Sequence, residues 1–250
     1  MTGELLDTWP GAFPELLALL TLGEHWREQL RRTLTPSFPR LTSLALPLFP
    51  QVGAEDWCYH SPLPRQLGGA LPLGALPGCL TLTPTLELPL TLEIKDGEWL
   101  RWRLTHRETA PWWQGVIQAL ESLPPPPEKI GLTAPPPWGS YQYVHVQLWR
   151  WRQNRPRDWG EPEVWNLTPS EQVLWRNELA LLDALTQPRP ESPPRGHLTE
   201  ALANGALILL SQQPTLEPVS LWRRGLLDLA QWLLWGLLEN QGLTDAPTAL

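Results

Sequence analysis

The sequence predicts an α+β protein: a small N-terminal domain of mixed helix and strand, followed by an all-α helical bundle. Three observations predict this fold class. Alternating apolar and polar residues, which are typical of strands, occur in the first half of the chain. Segments with apolar residues at three- and four-residue spacing fill the second half, and residues 220–239 are the most apolar of them. Clusters of proline separate the two halves.

Proline marks the predicted domain boundary. The chain contains 30 prolines in 250 residues, with clusters at residues 124–127, 135–137 and 188–194. Proline lacks a backbone N–H and interrupts helices, so clusters between periodic segments indicate breaks between folded pieces. We therefore predict a mixed α/β domain at residues 1–123, a Pro-rich linker at 124–139 and a helical domain at 140–250.

The first domain is predicted to begin with helix and continue as sheet. Residues 4–34 have helical spacing that prolines interrupt. Residues 85–104 alternate apolar and polar around the turn at 95–97 and predict a hairpin, in which the proline of the first strand suggests an edge or a bulge. In its second strand, Arg101 and Arg103 should point outward while Leu100, Trp102 and Leu104 point inward. Residues 110–123 then return to a helical pattern.

Four helices are predicted in the second domain. The first covers residues 141–151. The second opens at Thr168-Pro169-Ser170-Glu171, the order of a capping box with proline in the first turn. The third covers residues 197–211, and the fourth follows Ser220, a helix-capping residue, and ends near Gly242. Four such helices predict a compact bundle.

Composition limits the function classes. The formal net charge of −7 argues against binding nucleic acid over the whole surface, although a local basic patch remains open. Cys58 and Cys79 are too few for a disulfide framework and suit a reducing compartment. Asp228 and Gln231 interrupt the longest apolar run, and the first residues lack a basic leader. We expect a cytoplasmic protein with no membrane partner.

Catalytic and metal-binding patterns receive little support. The glycines between residues 68 and 78 lack the ending of a phosphate-binding loop. The spacing of Cys58, His60 and Cys79 matches no tetrahedral zinc set. The five histidines show no ligand pair at helical spacing. The sequence therefore predicts no catalytic residue, no metal and no cofactor.

Tryptophan and arginine alternate in two stretches, residues 99–107 and 149–159. Strand alternation explains the first stretch. The second runs off a helix, and no acidic residue interrupts its four arginines, Arg150, Arg152, Arg155 and Arg157. Aromatic faces beside guanidinium groups suit stacking on unpaired bases and contact with phosphates. A contact with nucleic acid and a purely structural role are equally compatible with this stretch.

A family resemblance begins where this second helical region starts. Residues 142–147, Gln-Tyr-Val-His-Val-Gln, resemble the Gln-Tyr-Ala-His-Ala-Arg signature of the DALR anticodon-binding domain of arginyl-tRNA synthetases. Gln142, Tyr143 and His145 agree with the signature, while Gln147 stands at its closing arginine. Residues 224–243 resemble the last helix of that domain. Residues 97–104 are similar to a strand in the small N-terminal domain of the same synthetases.

The resemblance implies a helical bundle that holds an anticodon stem-loop. A synthetase carries a nucleotide-binding catalytic domain between these two modules, and the predicted linker is far too short to contain one. We therefore expect a non-catalytic protein that binds tRNA or another structured RNA, and not DNA. The candidate contacts are Tyr143, His145, Arg150, Arg152, Arg155 and Arg157. The alternative is a protein-interaction subunit that has lost RNA binding.

Overall fold

The computed structural model describes residues 16, 20–42, 44, 46–68, 71, 74, 76–83, 85–123, 126, 136–154, 167–186, 195–212, 220–241 and 243. Two compact units divide the chain. The sheet unit is Thr21–Trp112, and the helical unit combines Met1–Leu20 with Trp113–Leu250. The division lies inside a helix, ahead of the predicted linker at 124–139.

In its described residues, the sheet unit contains two antiparallel sheets and several helices. Its four-stranded sheet has the order β1-β2-β6-β5, and β3 pairs with β4 in a separate two-stranded sheet. The elements are α1 (Leu22–Leu34), a 3-10 turn (Pro39–Thr42), β1 (Phe49–Val52), β2 (Asp56–Ser61), α2 (Leu63–Gln66), β3 (Cys79–Thr83), β4 (Leu86–Pro89), β5 (Thr91–Lys95) and β6 (Trp99–Thr105). The mixed helix and antiparallel sheet predicted for the first half are confirmed, although residues 4–15 and 17–19 of the predicted helical segment 4–34 lie outside the described residues.

The predicted hairpin at residues 85–104 is only partly present. β5 and β6 pair as expected, but the first predicted strand divides at Pro89 into β4 and β5, which belong to different sheets. Proline cannot donate to a strand ladder, and the next residue, Leu90, donates its N–H to the carbonyl of Gly78 at 2.9 Å. The alternation of apolar residues did not reveal this change of partner.

The inward and outward positions of β6 are confirmed. Leu100, Trp102 and Leu104 are fully buried, while Arg103 is exposed. Trp102 stacks on Tyr59 with ring centroids 4.5 Å apart and lies 5.0 Å from the ring of Trp26 in α1. These aromatic contacts form the core between α1 and one face of the sheet.

Helix α3 (His106–Ser122) begins earlier than its apolar pattern predicted. Thr105 accepts a hydrogen bond from the N–H of Glu108 at 3.1 Å, and its hydroxyl donates to the Glu108 carboxylate at 2.6 Å. Thr105 and Glu108 thus form a capping interaction that fixes the first turn. The spacing of a threonine and a glutamate three residues later was the missed signal.

The helices of the second half are confirmed. They are α4 (Trp138–Asn154), α5 (Pro169–Thr186), α6 (Arg195–Ser211) and α7 (Leu221–Glu239). Ser220 caps α7 by accepting a hydrogen bond from the N–H of Arg223 at 3.1 Å. Gly242, the predicted end of this helix, lies outside the described residues. Across the ranges given above, no helix is both long enough and apolar enough to span a membrane.

The capping box at the start of α5 is confirmed and has a second role. The N–H of Thr168 donates to the carboxylate of Glu171 at 2.8 Å. The guanidinium of Arg223 donates to the other oxygen of the same carboxylate at 3.0 Å. The buried carboxylate of Glu171 therefore caps the start of α5 and also forms an ion pair with Arg223 in the first turn of α7.

A cluster of three tryptophans joins α3, α5 and α7 in the helical unit. The rings of Trp113 and Trp222 stack with centroids 4.7 Å apart. Trp175 meets Trp113 edge-on at 5.0 Å. Gly225 lies against this cluster, because a Cβ atom there would be 2.6 Å from the ring of Trp113. The absence of a side chain at Gly225 is therefore what lets α7 approach Trp113 this closely.

We predict that Gly225→Ala lowers the free energy of unfolding by about 1–3 kcal/mol, because the new methyl group would overlap a ring that two other indoles hold in place. Chemical denaturation monitored by circular dichroism would measure the change. Gly115→Ala in the same unit is the control, since no atom lies within 4 Å of the position that its methyl group would occupy. That control should leave stability unchanged or raise it by up to about 1 kcal/mol.

Candidate functional site

Helix α4 has a buried face and a solvent-facing stripe. The buried face carries Tyr141, Gln142, Val144, His145 and Leu148. The stripe recurs at alternating three- and four-residue spacing, which keeps it on one side of the helix. We call it the outer stripe of α4, and its members are Ser140, Tyr143, Gln147, Arg150 and Asn154.

Tyr143 and Arg150 are the two predicted contacts that lie together on the outer stripe. Tyr143 is 50% exposed, an unusual fraction for a large aromatic side chain. Arg150 is also exposed, and no carboxylate in the described part of the chain pairs with it. Seven residues separate them, so they lie about 10 Å apart along the helix axis. The outer stripe therefore presents an aromatic face and a cation in one line.

Two signature positions, Gln142 and His145, lie in the interior. His145 is fully buried. Gln142 is 1% exposed and donates from its amide to the carbonyl of Leu243 at 3.0 Å, which ties α4 to the chain beyond α7. Gln142 and His145 therefore support the packing of α4, and only Tyr143 of the three matched signature residues faces solvent.

Arg152 also points inward. Its guanidinium donates to the carbonyl of Leu120 at 3.3 Å, and its Nε lies 4.0 Å from a carboxylate oxygen of Asp228. The Arg152 side chain is 10% exposed. The structure thus separates Arg152 from Tyr143 and Arg150. The two remaining predicted contacts, Arg155 and Arg157, lie outside the described residues.

Asp228 is the centre of a buried ionic cluster. It is fully buried and faces both Arg152 and Arg224, whose Nε lies 3.8 Å from the other carboxylate oxygen. Arg224 also forms an ion pair with Glu121. Burial lowers the pKa of Arg224, and the negative charge of Asp228 opposes that shift. Two cations around one buried carboxylate link α4 and α7.

A cleft of about 480 Å³ adjoins Tyr143 between α4 and α6. Its polar lining comes from Ser140, Asn204 and the exposed carboxylate of Glu200. The hydroxyl of Tyr141 donates to the carbonyl of Gly196 at 3.2 Å across the same pair of helices. Burial, and secondarily the charge of Glu200, raises the pKa of Tyr141, so its hydroxyl remains a donor.

The sequence did not indicate Ser140, Glu200 or Asn204 as site residues. Glu200 and Asn204 belong to α6, and only the packing of that helix against α4 brings them beside Tyr143. Their spacing of four residues shows that they share a helix face, but not which neighbouring helix they meet.

Comparison with known proteins adds no relative. No protein-family model, no curated protein and no solved structure matches this chain. The resemblance to the DALR anticodon-binding domain therefore stays a prediction from the sequence.

We predict that Arg152→Met lowers the free energy of unfolding by about 2 kcal/mol, because it removes a guanidinium from the buried carboxylate of Asp228. Arg150→Met is the matched control on the same helix, and its effect should stay within about 0.5 kcal/mol. Equal effects of the two substitutions in urea denaturation would contradict the inward role of Arg152.

A buried carboxyl group in α5 gives a pH-dependent prediction. Glu178 is fully buried, and neither carboxyl oxygen has a hydrogen-bond partner in the described part of the chain. Burial raises the pKa of Glu178 well above the ordinary value of 4.5. Above pH 4.5 the unfolded chain loses this proton while the folded chain keeps it, so stability decreases as pH rises toward the folded-state pKa.

Glu178→Gln removes this titration and keeps the shape of the side chain. The stability of the variant relative to the parent protein should therefore increase as pH rises above 4.5. Urea denaturation at several pH values would measure the difference. A difference that does not change with pH would contradict the prediction.

Proposed function

We propose that this protein is a non-catalytic RNA-binding protein of the DALR anticodon-binding type, which holds tRNA or another structured RNA on the outer stripe of α4. The observation that carries the proposal is the alignment of exposed Tyr143 with Arg150 on one side of one helix. Arg150 has no carboxylate partner among the described residues, so its charge is available to a phosphate.

The side-chain chemistry of the outer stripe suits an unpaired RNA segment. The exposed ring of Tyr143 offers a stacking surface for a base, and Arg150 offers a cation for the phosphate backbone. Gln147 lies between Tyr143 and Arg150 on the stripe, and Asn154 lies beyond Arg150. Each of these two amides can donate and accept hydrogen bonds. A base stacked on Tyr143 would lie at the mouth of the neighbouring cleft, where Ser140 and Glu200 can accept hydrogen bonds from amino groups.

His145 and Arg152 have a supporting role in this proposal. Both are directed into the helical unit, where they fix the rotation of α4 and so aim Tyr143 and Arg150 at solvent. Arg155 and Arg157 follow α4 in the sequence, and we retain them as further phosphate contacts.

The acidic character of the chain sets the expected mode of binding. A net charge of −7 gives no general attraction to RNA, so the contact must be local. A site that neutralises only a few phosphates gives a correspondingly small dependence of affinity on salt concentration. We therefore expect binding that is measurable at low salt and modest at physiological salt.

The test is filter binding or fluorescence anisotropy with a tRNA pool at low salt. Tyr143→Leu removes the stacking face and should weaken binding about threefold to tenfold. Arg150→Gln should weaken binding and reduce the slope of log affinity against log salt by about one.

Arg176→Gln is the matched control, because Arg176 is an exposed arginine on α5 that lies outside the outer stripe. It should leave both affinity and slope nearly unchanged. Absence of binding at low salt, or equal effects of the Arg150 and Arg176 substitutions, would overturn the proposal.

The alternative function is a protein-interaction subunit. Val173 on α5 and Ile208 on α6 are 39% and 48% exposed, and these apolar side chains on neighbouring helices favour a protein contact. In the parts of the chain that the structure describes, no tryptophan is exposed to that degree. Recovery of a stoichiometric protein partner without RNA, lost in Ile208→Ser but kept in Arg150→Gln, would favour this alternative.

A further inference from the structure

The outward face of the four-stranded sheet in the sheet unit carries a row of one aromatic and three ionisable side chains. Strand pairing places Phe49 opposite His60, His60 opposite Arg101, and Arg101 opposite Glu93. The opposite face of the same strands carries the buried aromatic core around Trp102. The row therefore crosses a sheet surface that the core does not use.

A cavity of about 460 Å³ lies at one end of this row. Strands β1 and β2 contribute Phe49, Gln51 and His60, and the β5–β6 hairpin contributes Lys95, Asp96 and Trp99. The volume is in the range of pockets that take small organic ligands. The cavity lies within the sheet unit, whereas the proposed RNA contact lies in the helical unit.

Phe49 gives the cavity an exposed aromatic corner. Its side chain is 51% exposed although it stands in a strand. The ring meets that of Trp99 at an angle of 62°, with centroids 6.1 Å apart. Because the rings of Phe49 and Trp99 meet at a steep angle, a planar ligand ring can stack on the face of one of them and meet the other edge-on.

The cavity lining carries one ammonium group, that of Lys95, and one carboxylate, that of Asp96. Lys95 is exposed, and no carboxylate among the described residues forms an ion pair with it. Arg101 lies opposite His60 on the neighbouring strand, and the Arg101 guanidinium donates to the carboxylate of Glu93 at 2.8 Å. Burial lowers the pKa of His60, and the charges of Arg101 and Lys95 lower it further, against a smaller opposing effect of Glu93. The charged or titratable groups around His60 are thus Cys58, Glu93, Lys95, Asp96 and Arg101.

We propose that this cavity binds a small planar aromatic anion, with its ring against Phe49 and Trp99 and its carboxylate or similar group at Lys95. The aromatic corner selects a flat ring, and the unpaired ammonium group selects a negative charge. Gln51 is exposed beside them and can donate an amide hydrogen bond to the same anion. The class of ligand is an aromatic acid.

Thiol or metal chemistry is not supported at the same place. Cys58 lies 3.3 Å from His60 and accepts a hydrogen bond from Arg101 at 3.3 Å, but its side chain is buried. Burial raises the pKa of the Cys58 thiol, which makes it a poor nucleophile. Cys79 lies in the other sheet, and the described residues contain no group of three metal-binding side chains. Cys58 therefore serves to orient the His60 ring.

The experiment is calorimetric titration of the full chain with 2-naphthoate, which is flat and anionic. Naphthalene-2-methanol has the ring without the charge, and cyclohexanecarboxylate has the charge without the flat ring. We expect 2-naphthoate to bind at least about fivefold more tightly than either. Lys95→Gln and Phe49→Leu should each weaken its binding about fivefold.

Arg65→Gln is the matched control, because it removes an exposed cation of the sheet unit that does not line the cavity. It should leave 2-naphthoate binding unchanged, as should Tyr143→Leu in the helical unit. Bound 2-naphthoate places a negative charge near His60, so its imidazole should titrate at higher pH in NMR spectra of the complex.

Three results would overturn the proposal. These are no binding of 2-naphthoate at millimolar concentration, equal binding of the three probes, and an unchanged affinity in Lys95→Gln. Displacement of 2-naphthoate by tRNA from the Tyr143→Leu variant would assign the cavity to RNA instead. None of these results depends on whether the outer stripe of α4 binds RNA.

Discussion

The close approach of α7 to Trp113 is the constraint on which the helical unit depends. A glycine at position 225 lets the ring of Trp113 lie where a side chain would otherwise stand, and Trp175 and Trp222 close around it. Large indole rings contribute much of the apolar area that stabilises a core, but only when they are closely packed. The three tryptophans of this cluster are therefore structural, and the helices they join include α7, the platform on which α4 packs.

Buried polar groups then determine how the helices are oriented on that platform. Asp228 is surrounded by Arg152 and Arg224, and Glu171 is shared between the start of α5 and Arg223. Removing a charge from water is unfavourable unless its partners are correctly placed, so such pairs tolerate little rotation or sliding of the helices. This requirement fixes the rotation of α4 about its own axis. In that orientation Tyr143 and Arg150 face solvent.

Features that depend on neighbouring residues were predictable from the sequence, and features that depend on distant partners were not. The capping box of Glu171, the cap at Ser220 and the alternation along β6 each follow from a few consecutive residues. The strand break after Pro89 depends on the pairing of β4 with β3. Arg152 resembles its neighbour Arg150 in sequence, and only the position of Asp228 in α7 separates their roles.

Two of the three matched signature residues bear on the fold, and the third bears on function. Gln142 and His145 are buried, so a resemblance at these positions reflects the packing of a helix. Tyr143 is the matched residue that a partner could touch, and Arg150 extends the contact beyond the signature. A chain with a net negative charge can still bind RNA if an exposed cation and an exposed aromatic ring lie on one side of the same helix. The proposed function therefore depends on the outer stripe of α4 more than on the net charge.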